Sequence, residues 1–208
     1  MPVRAEARGV VSDLMDLITA ALGNPINRKI LERLPMLGAP NACLVAGSVY
    51  QAFWNALSGR PVAEGVKDYD LFYFDGSDLS YEAEDAVIQR ARPLFADLDV
   101  LVDVKNQARV HLWYPQRFGG DYPQLEKVED GIARFLVRST CIGLMPQVGG
   151  TLRLIAPYGI EETRLGELRP NAVWCPDMER FRAKAGSYVA RWPWLRIVGD
   201  EAQTPQVT

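Results

Sequence analysis

The sequence is poor in the residues that build covalent or metal-thiolate frameworks: its 208 residues include three cysteines and one histidine. Cys43, Cys141 and Cys175 are an odd set without C-x-x-C spacing, which excludes a disulfide framework and a zinc ribbon and leaves the three thiols as packing residues. Residues 1–17 show no cationic stretch followed by an uninterrupted apolar run, so no signal peptide is read there. No segment approaches about 18 consecutive apolar residues, which excludes a membrane-spanning helix. Internal repeats, low-complexity tracts and a large net charge are also missing; 23 basic against 26 acidic residues give −3. With 48% hydrophobic and 24% charged residues, the composition excludes disordered, collagen-like and coiled-coil classes. These absences describe a soluble protein of a reducing, cytoplasmic compartment.

What is present is unevenly distributed. Between Glu64 and Asp103, eleven acids face only Lys67, Arg90 and Arg92, so this stretch stands at −8 and the rest of the chain carries +5. Near the C-terminus, Arg180, Arg182, Lys184, Arg191 and Arg196 follow one another without an intervening acid, interleaved with Tyr188, Trp192 and Trp194. That segment reads as a hydrophobic helix end packed on the domain; the other reading is a surface for single-stranded nucleic acid, where aromatics stack among cations.

Helices and strands mingle, which predicts a mixed α/β or α+β class. Helical spacing runs from Val10 to Leu22 and from about Asn27 to Leu34. Ala42–Ala46 is a short buried strand, Gly47-Ser48 a turn, and Val49–Leu57 a helix. Asp68–Phe74 is strand-like, Asp75–Asp78 a turn, and Leu79–Arg92 a helix that Pro93 ends or kinks. Val100 to Tyr114 alternates as one long strand, with Val102, Val104, Ala108, Val110 and Leu112 on one parity and Asp103, Lys105, Gln107, Arg109 and His111 on the other; its length calls for a bend or split. Pro115–Pro123 is loop, Val128–Leu136 helix, Thr151–Ala156 strand, and Glu161–Leu168 and Asp177–Arg191 helices. The expected organisation is N-terminal helices over 1–40, a core over 41–156, a C-terminal helical part over 157–198, and a tail over 199–208.

Three features could carry chemistry. Asp68 and Asp70, two apart on a strand, project to one face with Cα atoms roughly 6–7 Å apart. With a third carboxylate, Asp103, on a neighbouring strand, they can hold a pair of hard divalent cations, Mg²⁺ (or Mn²⁺) being the natural ion, as phosphoryl transfer requires. Gly47-Ser48, a small-residue turn into a helix, offers N–H groups and a hydroxyl to a phosphate. Lys105 and Arg109, on the parity of Asp103, can neutralise triphosphate charge. His111 reads as a hydrogen-bonded packing residue, and Tyr69, Phe72, Tyr73, Trp113 and Trp174 as core.

The sequence resembles the nucleotidyltransferase superfamily that includes DNA polymerase beta at Leu44-Val-Ala-Gly-Ser48, Asp68-Tyr-Asp-Leu-Phe72 and Val102-Asp-Val104. It is more closely similar to a bacterial nucleotidyltransferase-like family, through Lys67–Asp75, Leu79–Ile88 and Asn106–Tyr114. The resemblance implies a nucleotidyltransferase fold, a small mixed sheet backed by helices with an accessory helical part. It implies metal ligands at Asp68 and Asp70, Asp103 as third carboxylate and base, and Gly47 and Ser48 on the nucleotide phosphates. Nineteen residues separate Ser48 from Asp68, longer than the superfamily pattern, which marks Ser58–Val66 as an insertion. The implied activity is transfer of a nucleoside monophosphate from an NTP to a hydroxyl acceptor, with a non-catalytic nucleotide- or metal-binding module of the same fold as the alternative. Protein side chains, RNA ends, small molecules and nucleotides all remain open as acceptors.

Overall fold

The structure is a computed structural model that describes residues 3–175 and 177–199. The chain opens with helices α1 (Val3–Gly23) and α2 (Pro25–Arg33), followed by strand β1 (Cys43–Val45), helix α3 (Gly47–Leu57) and strand β2 (Asp68–Tyr73). Helix α4 (Tyr81–Phe95) crosses to β3 (Leu101–Asn106). Then come α5 (Val110–Phe118), α6 (Val128–Ile132), β4 (Gly143–Pro146), β5 (Leu152–Ile155), α7 (Glu161–Leu165), β6 (Glu167–Leu168), α8 (Met178–Arg191) and β7 (Arg196–Ile197).

Five strands form one mixed sheet in the order β3-β2-β1-β4-β5. β1 is antiparallel to both neighbours, while β2 and β3 run parallel. That parallel pair requires a crossover, which α4 supplies. Cys43, Leu44 and Val45 are buried on both faces, as an unbroken apolar run in a central strand predicts. In β2 the pleat sorts the residues: Tyr69, Leu71 and Tyr73 are buried in the main core with Val104 of β3, and Asp68, Asp70 and Phe72 occupy the opposite face.

The N-terminal helices hold the β1–α3 turn in place. Asn24 caps α2, its Oδ1 accepting from Ile26 N at 3.0 Å, and its Nδ2 donates to the Tyr69 hydroxyl. Asn27 Nδ2 donates both to Ala21 O (3.0 Å) and to Ser48 O (2.8 Å), joining the end of α1 to the start of α3. Helix α8 docks on the same helix α3. Trp54 meets Trp192 and Tyr188 edge-on at 5.3 and 5.4 Å, and donates from Nε1 to Thr163 O. One continuous core therefore runs from Leu17 to Leu195.

The expected loop insertion is pinned to this core. Asn55 Nδ2 donates to Val62 O and Glu64 O, and Arg60 N donates to Asn55 O, so residues 58–67 fold back on the end of α3. The mixed α/β reading holds, but several elements differ from expectation. α4 runs through Pro93 to Phe95, and its N-cap is Ser80, whose Oγ accepts from Ala83 N. The strand expected over Val100–Tyr114 ends at Asn106. A 3-10 turn at Gln107–Arg109 and α5 take over, and α5 contains Pro115 where a loop is expected. α6 and α7 stop sooner than read, with β6 following α7 directly. Of the expected tail, only Gly199 lies within the described residues.

Candidate active site

β1 and β2 pair with Val45 opposite Asp70, so the turn leaving β1 emerges at the Asp68–Asp70 end of β2. Ala46 makes this turn with φ 59° and ψ −132°, a backbone region that a residue with a Cβ rarely adopts. Three backbone bonds hold it there: Ala46 N donates to Ile142 O, and Ala46 O accepts from Val49 N and Tyr50 N. The hydroxyl of Ser48, one residue into the helix, is fully buried and has no hydrogen-bond partner among the described residues.

β2 and β3 pair with Asp70 opposite Asp103 and Phe72 opposite Lys105. Both carboxylates and Lys105 therefore share one face and line a cleft of about 420 Å³. Asp68 stands on the same face of β2, exposed, beyond the cleft lining. Lys105 Nζ donates to Asp103 Oδ1 at 2.6 Å. Asp70 is mostly withdrawn from water, and burial, followed by the charges of Asp103 and Asp68, pushes its carboxyl up to about 6 against the partial relief of Lys184 and Lys105.

Two carboxylates and four cations, Lys105, Arg134, Arg180 and Lys184, line the cleft. The acidity of the surrounding sequence thus hides a cationic pocket. The rest of the wall is aromatic. Tyr114 of α5 contacts Tyr122 (4.6 Å between centroids), Trp174 (5.7 Å) and Phe118 (5.0 Å), and Phe72 meets Phe135 at 5.8 Å. Arg180 lies 5.0 Å over Phe118 and Arg134 5.9 Å over Tyr122. Apolar walls with a few convergent polar groups are the usual form of a small-molecule site, and the volume falls in the usual range.

Asp68, Asp70 and Asp103 supply hard oxygen donors of the kind magnesium takes. Among the described residues no three acidic, histidine or cysteine groups are already gathered where they could hold a metal ion, and Asp103 is engaged by Lys105. The donor chemistry fits a divalent cation that competes with Lys105 for Asp103.

Residues 32–197 match the sequence profile of a family described as nucleotidyltransferase. The chain belongs to the nucleotidyltransferase family. A solved structure titled as an NMR structure that reveals a CCA-adding enzyme head domain matches 87% of this chain and 93% of its own, with a TM-score of 0.70 and 24% identity, and this likeness establishes the fold. No curated protein sequence matches the chain. No helix among the described residues is long and apolar enough to cross a membrane.

In this member of the family, Asp70, Asp103 and Lys105 come together in the cleft, which Ala46 and Tyr50 border at the β1–α3 turn. Gly47 and Ser48, expected as a turn on the phosphates, instead begin helix α3 outside the cleft lining, and Ser48 is fully buried. Arg109 does not join the cleft group. Because the chain turns helical after Asn106, Arg109 loses the parity of Asp103; it is 8% exposed, donates from Nε to Leu79 O and is bonded through Nη1 to Glu84. His111, expected to be hydrogen-bonded, instead sits on α5 with a buried Nδ1 that has no partner among the described residues. Tyr69 and Tyr73 are core as expected, but Phe72, Trp113 and Trp174 line the cleft. In the C-terminal segment Tyr188 and Trp192 are packed, each 2% exposed, which removes them as an open stacking surface. Arg180 and Lys184, which the sequence reading placed only in a segment packed on the domain, line the cleft. Their spacing with Tyr188, i, i+4 and i+8, is the signal that could have found them.

Proposed function

We propose that this cleft transfers a nucleoside monophosphate from an NTP to a hydroxyl acceptor and releases pyrophosphate, with Mg²⁺ or Mn²⁺ held by Asp70 and Asp103 and completed by Asp68. The observation that carries the reading is the register Asp70↔Asp103 on the cleft face, beside the strained β1–α3 turn. A divalent cation, when bound, supplies charge neutralisation to the phosphates and to the closely spaced carboxylates.

The chain's own groups account for the rest. Asp103, once freed from Lys105, accepts the proton of the acceptor hydroxyl as its oxygen bonds to the α-phosphorus and the bond to the β-phosphate oxygen breaks. Lys105, now free, and Lys184 balance the charge of the leaving pyrophosphate. The turn at Ala46 borders the cleft beside the carboxylates, where the first main-chain N–H groups of α3 suit a phosphate oxygen. Tyr114, Tyr122 and Trp174 form an apolar wall on which a base can stack.

The test is incubation of the protein with each labelled NTP, Mg²⁺ or Mn²⁺ and a cell extract, followed by isolation of whatever acquires label. Wild-type protein should label an acceptor and Asp70→Asn should not. Equal labelling by Asp70→Asn would sink the reading, and binding of Mg·NTP with no product across acceptors would assign the cleft to a binding module.

A further inference from the structure

One edge of the five-stranded sheet is open. β3 is its last strand, and among the described residues nothing pairs with its far side. Beside it, away from the cleft, a slot of about 630 Å³ runs between β3 and α4. Ile88, Ala91 and Phe95 of α4 line it with Val102 and Val104 of β3 and the 63% exposed Leu101. An apolar, unpaired edge is a template for another strand.

Both the strand and the helix present groups to that side. Asn106 N donates to Glu84 Oε1 at 2.8 Å, away from β2. Alternate residues of a strand aim their N–H and C=O groups at the same edge, so those of Val104 face the open side. One flank of α4 is spent inward, where Arg90 Nε donates to Leu37 O. Another flank carries Asp85, Ile88 and Arg92, three and four residues apart. The Glu84–Asn106 bond also sets the helix over the strand, since α4 and β3 run in opposite directions. One helical turn on from Glu84 and two strand residues back from Asn106 each cover about 6 Å, which brings Ile88 beside Val104.

Charge decides the occupant. A two-fold axis beside Val104 would pair β3 antiparallel with β3 of a second copy. Asp103 then stands opposite Lys105 of that copy and Lys105 opposite its Asp103, at non-hydrogen-bonded positions where side chains approach most closely. An axis through position 103 would instead oppose Asp103 to itself. Because Ile88 lies beside Val104, the same axis sets the two α4 helices antiparallel, with Asp85 of each against Arg92 of the other. Within one chain those two side chains are bridged by the Gln89 amide. One axis thus satisfies two separate sets of charges, as a self-complementary, isologous patch must.

We propose that the β3 edge and the outer flank of α4 form a homodimer interface that joins two sheets into one. The inference is independent of the nucleotidyl-transfer reading.

Analytical ultracentrifugation of the full chain at NMR concentrations tests it. Wild type should sediment with the mass of two chains. Arg92→Glu sets like charges against each other at two symmetric places and should weaken the dimer about a hundredfold. Asp85→Arg should do the same, and Asp85→Arg/Arg92→Glu together should restore the dimer. Positions 85 and 92 are outside the cleft lining. Amide hydrogen exchange reads the strand pairing separately: Val104 N–H should be protected in wild type and released in Arg92→Glu. A monomeric wild type, a dimer that both single reversals leave intact, or a double reversal that stays monomeric overturns the proposal. Equal Val104 exchange in wild type and Arg92→Glu overturns it too.

Discussion

Asp70 and Asp103 stand directly opposite each other on the parallel strands β2 and β3, and neither meets the other's charge with a bridging proton donor: Asp103 is bonded to Lys105, and Asp70 is left half-buried with its carboxyl pushed up to about 6. A strand pair that places like charges in register is destabilising unless something else requires it. A bound cation is that requirement in the account given above.

Asp70 makes the metal-free protein sensitive to pH in a particular direction. Below about pH 4 the carboxyl is protonated in folded and unfolded chains alike, and its repulsion is absent. Between about 4 and 6 the unfolded chain ionises first, so stability falls as pH rises, and above about 6 the loss is complete. Asp70→Asn removes that loss. Thermal melts in chelator should show the variant melting a few degrees above wild type at pH 7.5, roughly 2–4 °C for each kcal/mol relieved, and level with it at pH 3.5.

Arg109 is a structural residue. Its guanidinium is bonded to Glu84, whose Oε1 accepts from Asn106 N at 2.8 Å, so the pair fastens α4 to the end of β3. Arg109→Met leaves Glu84 buried and unpaired, which costs about 3–5 kcal/mol. Urea unfolding should show that loss, whereas calorimetric affinity of the folded variant for Mg·NTP should match wild type. A selective loss of NTP affinity at unchanged stability would return Arg109 to the site.

Gly131 is required by a cleft-lining neighbour. A Cβ there would lie 2.1 Å from Gln107 Oε1 and 2.8 Å from its Cδ, and Gln107 is itself only 3% exposed. Gly131→Ala should cost about 1–3 kcal/mol by overpacking. Adding Gln107→Ala makes room, so the double variant should be more stable than the Gly131→Ala single variant in denaturant titrations.

Asn55 latches the inserted segment. It donates to Val62 O and Glu64 O, and its Oδ1 accepts from Trp192 Nε1 at 2.9 Å. Asn55→Ala strands an indole N–H in the core and releases residues 58–67, with an expected loss of about 2–4 kcal/mol. Limited proteolysis should show new cleavage within that segment.

The parts of this fold legible in the sequence are those where one period dominates. The pleat of β2 sorts Asp68, Asp70 and Phe72 from Tyr69, Leu71 and Tyr73 as alternation requires, and the helical spacing of α3 and α8 survives intact. Asn106 marks where the reading fails. Alternation continues in sequence past it, but its Oδ1 caps the next turn by accepting from Ala108 N, and Val110, Trp113 and Tyr114 then follow a helical spacing that a short window cannot separate from period two. β4 escaped because Gly143 and Pro146 are poor strand formers. Glycine is needed at 143 because a Cβ would come within 3.0 Å of Val45 and Ile132. At the site, the aspartates were visible from local spacing and the shared helix face of Arg180 and Lys184 could have been, whereas Arg134 and the aromatic wall are brought in by elements distant in sequence, which no local pattern reports.

The central claim is that Asp70 and Asp103 form a metal–nucleotide centre. Paramagnetic broadening by Mn²⁺, followed on the backbone amides, tests it most directly. Substoichiometric Mn²⁺ should selectively broaden the amides of Val45–Ser48, Asp68–Asp70 and Asp103, more so with NTP present, and Asp70→Asn should abolish the pattern. Broadening centred elsewhere, or unchanged in Asp70→Asn, would contradict the account.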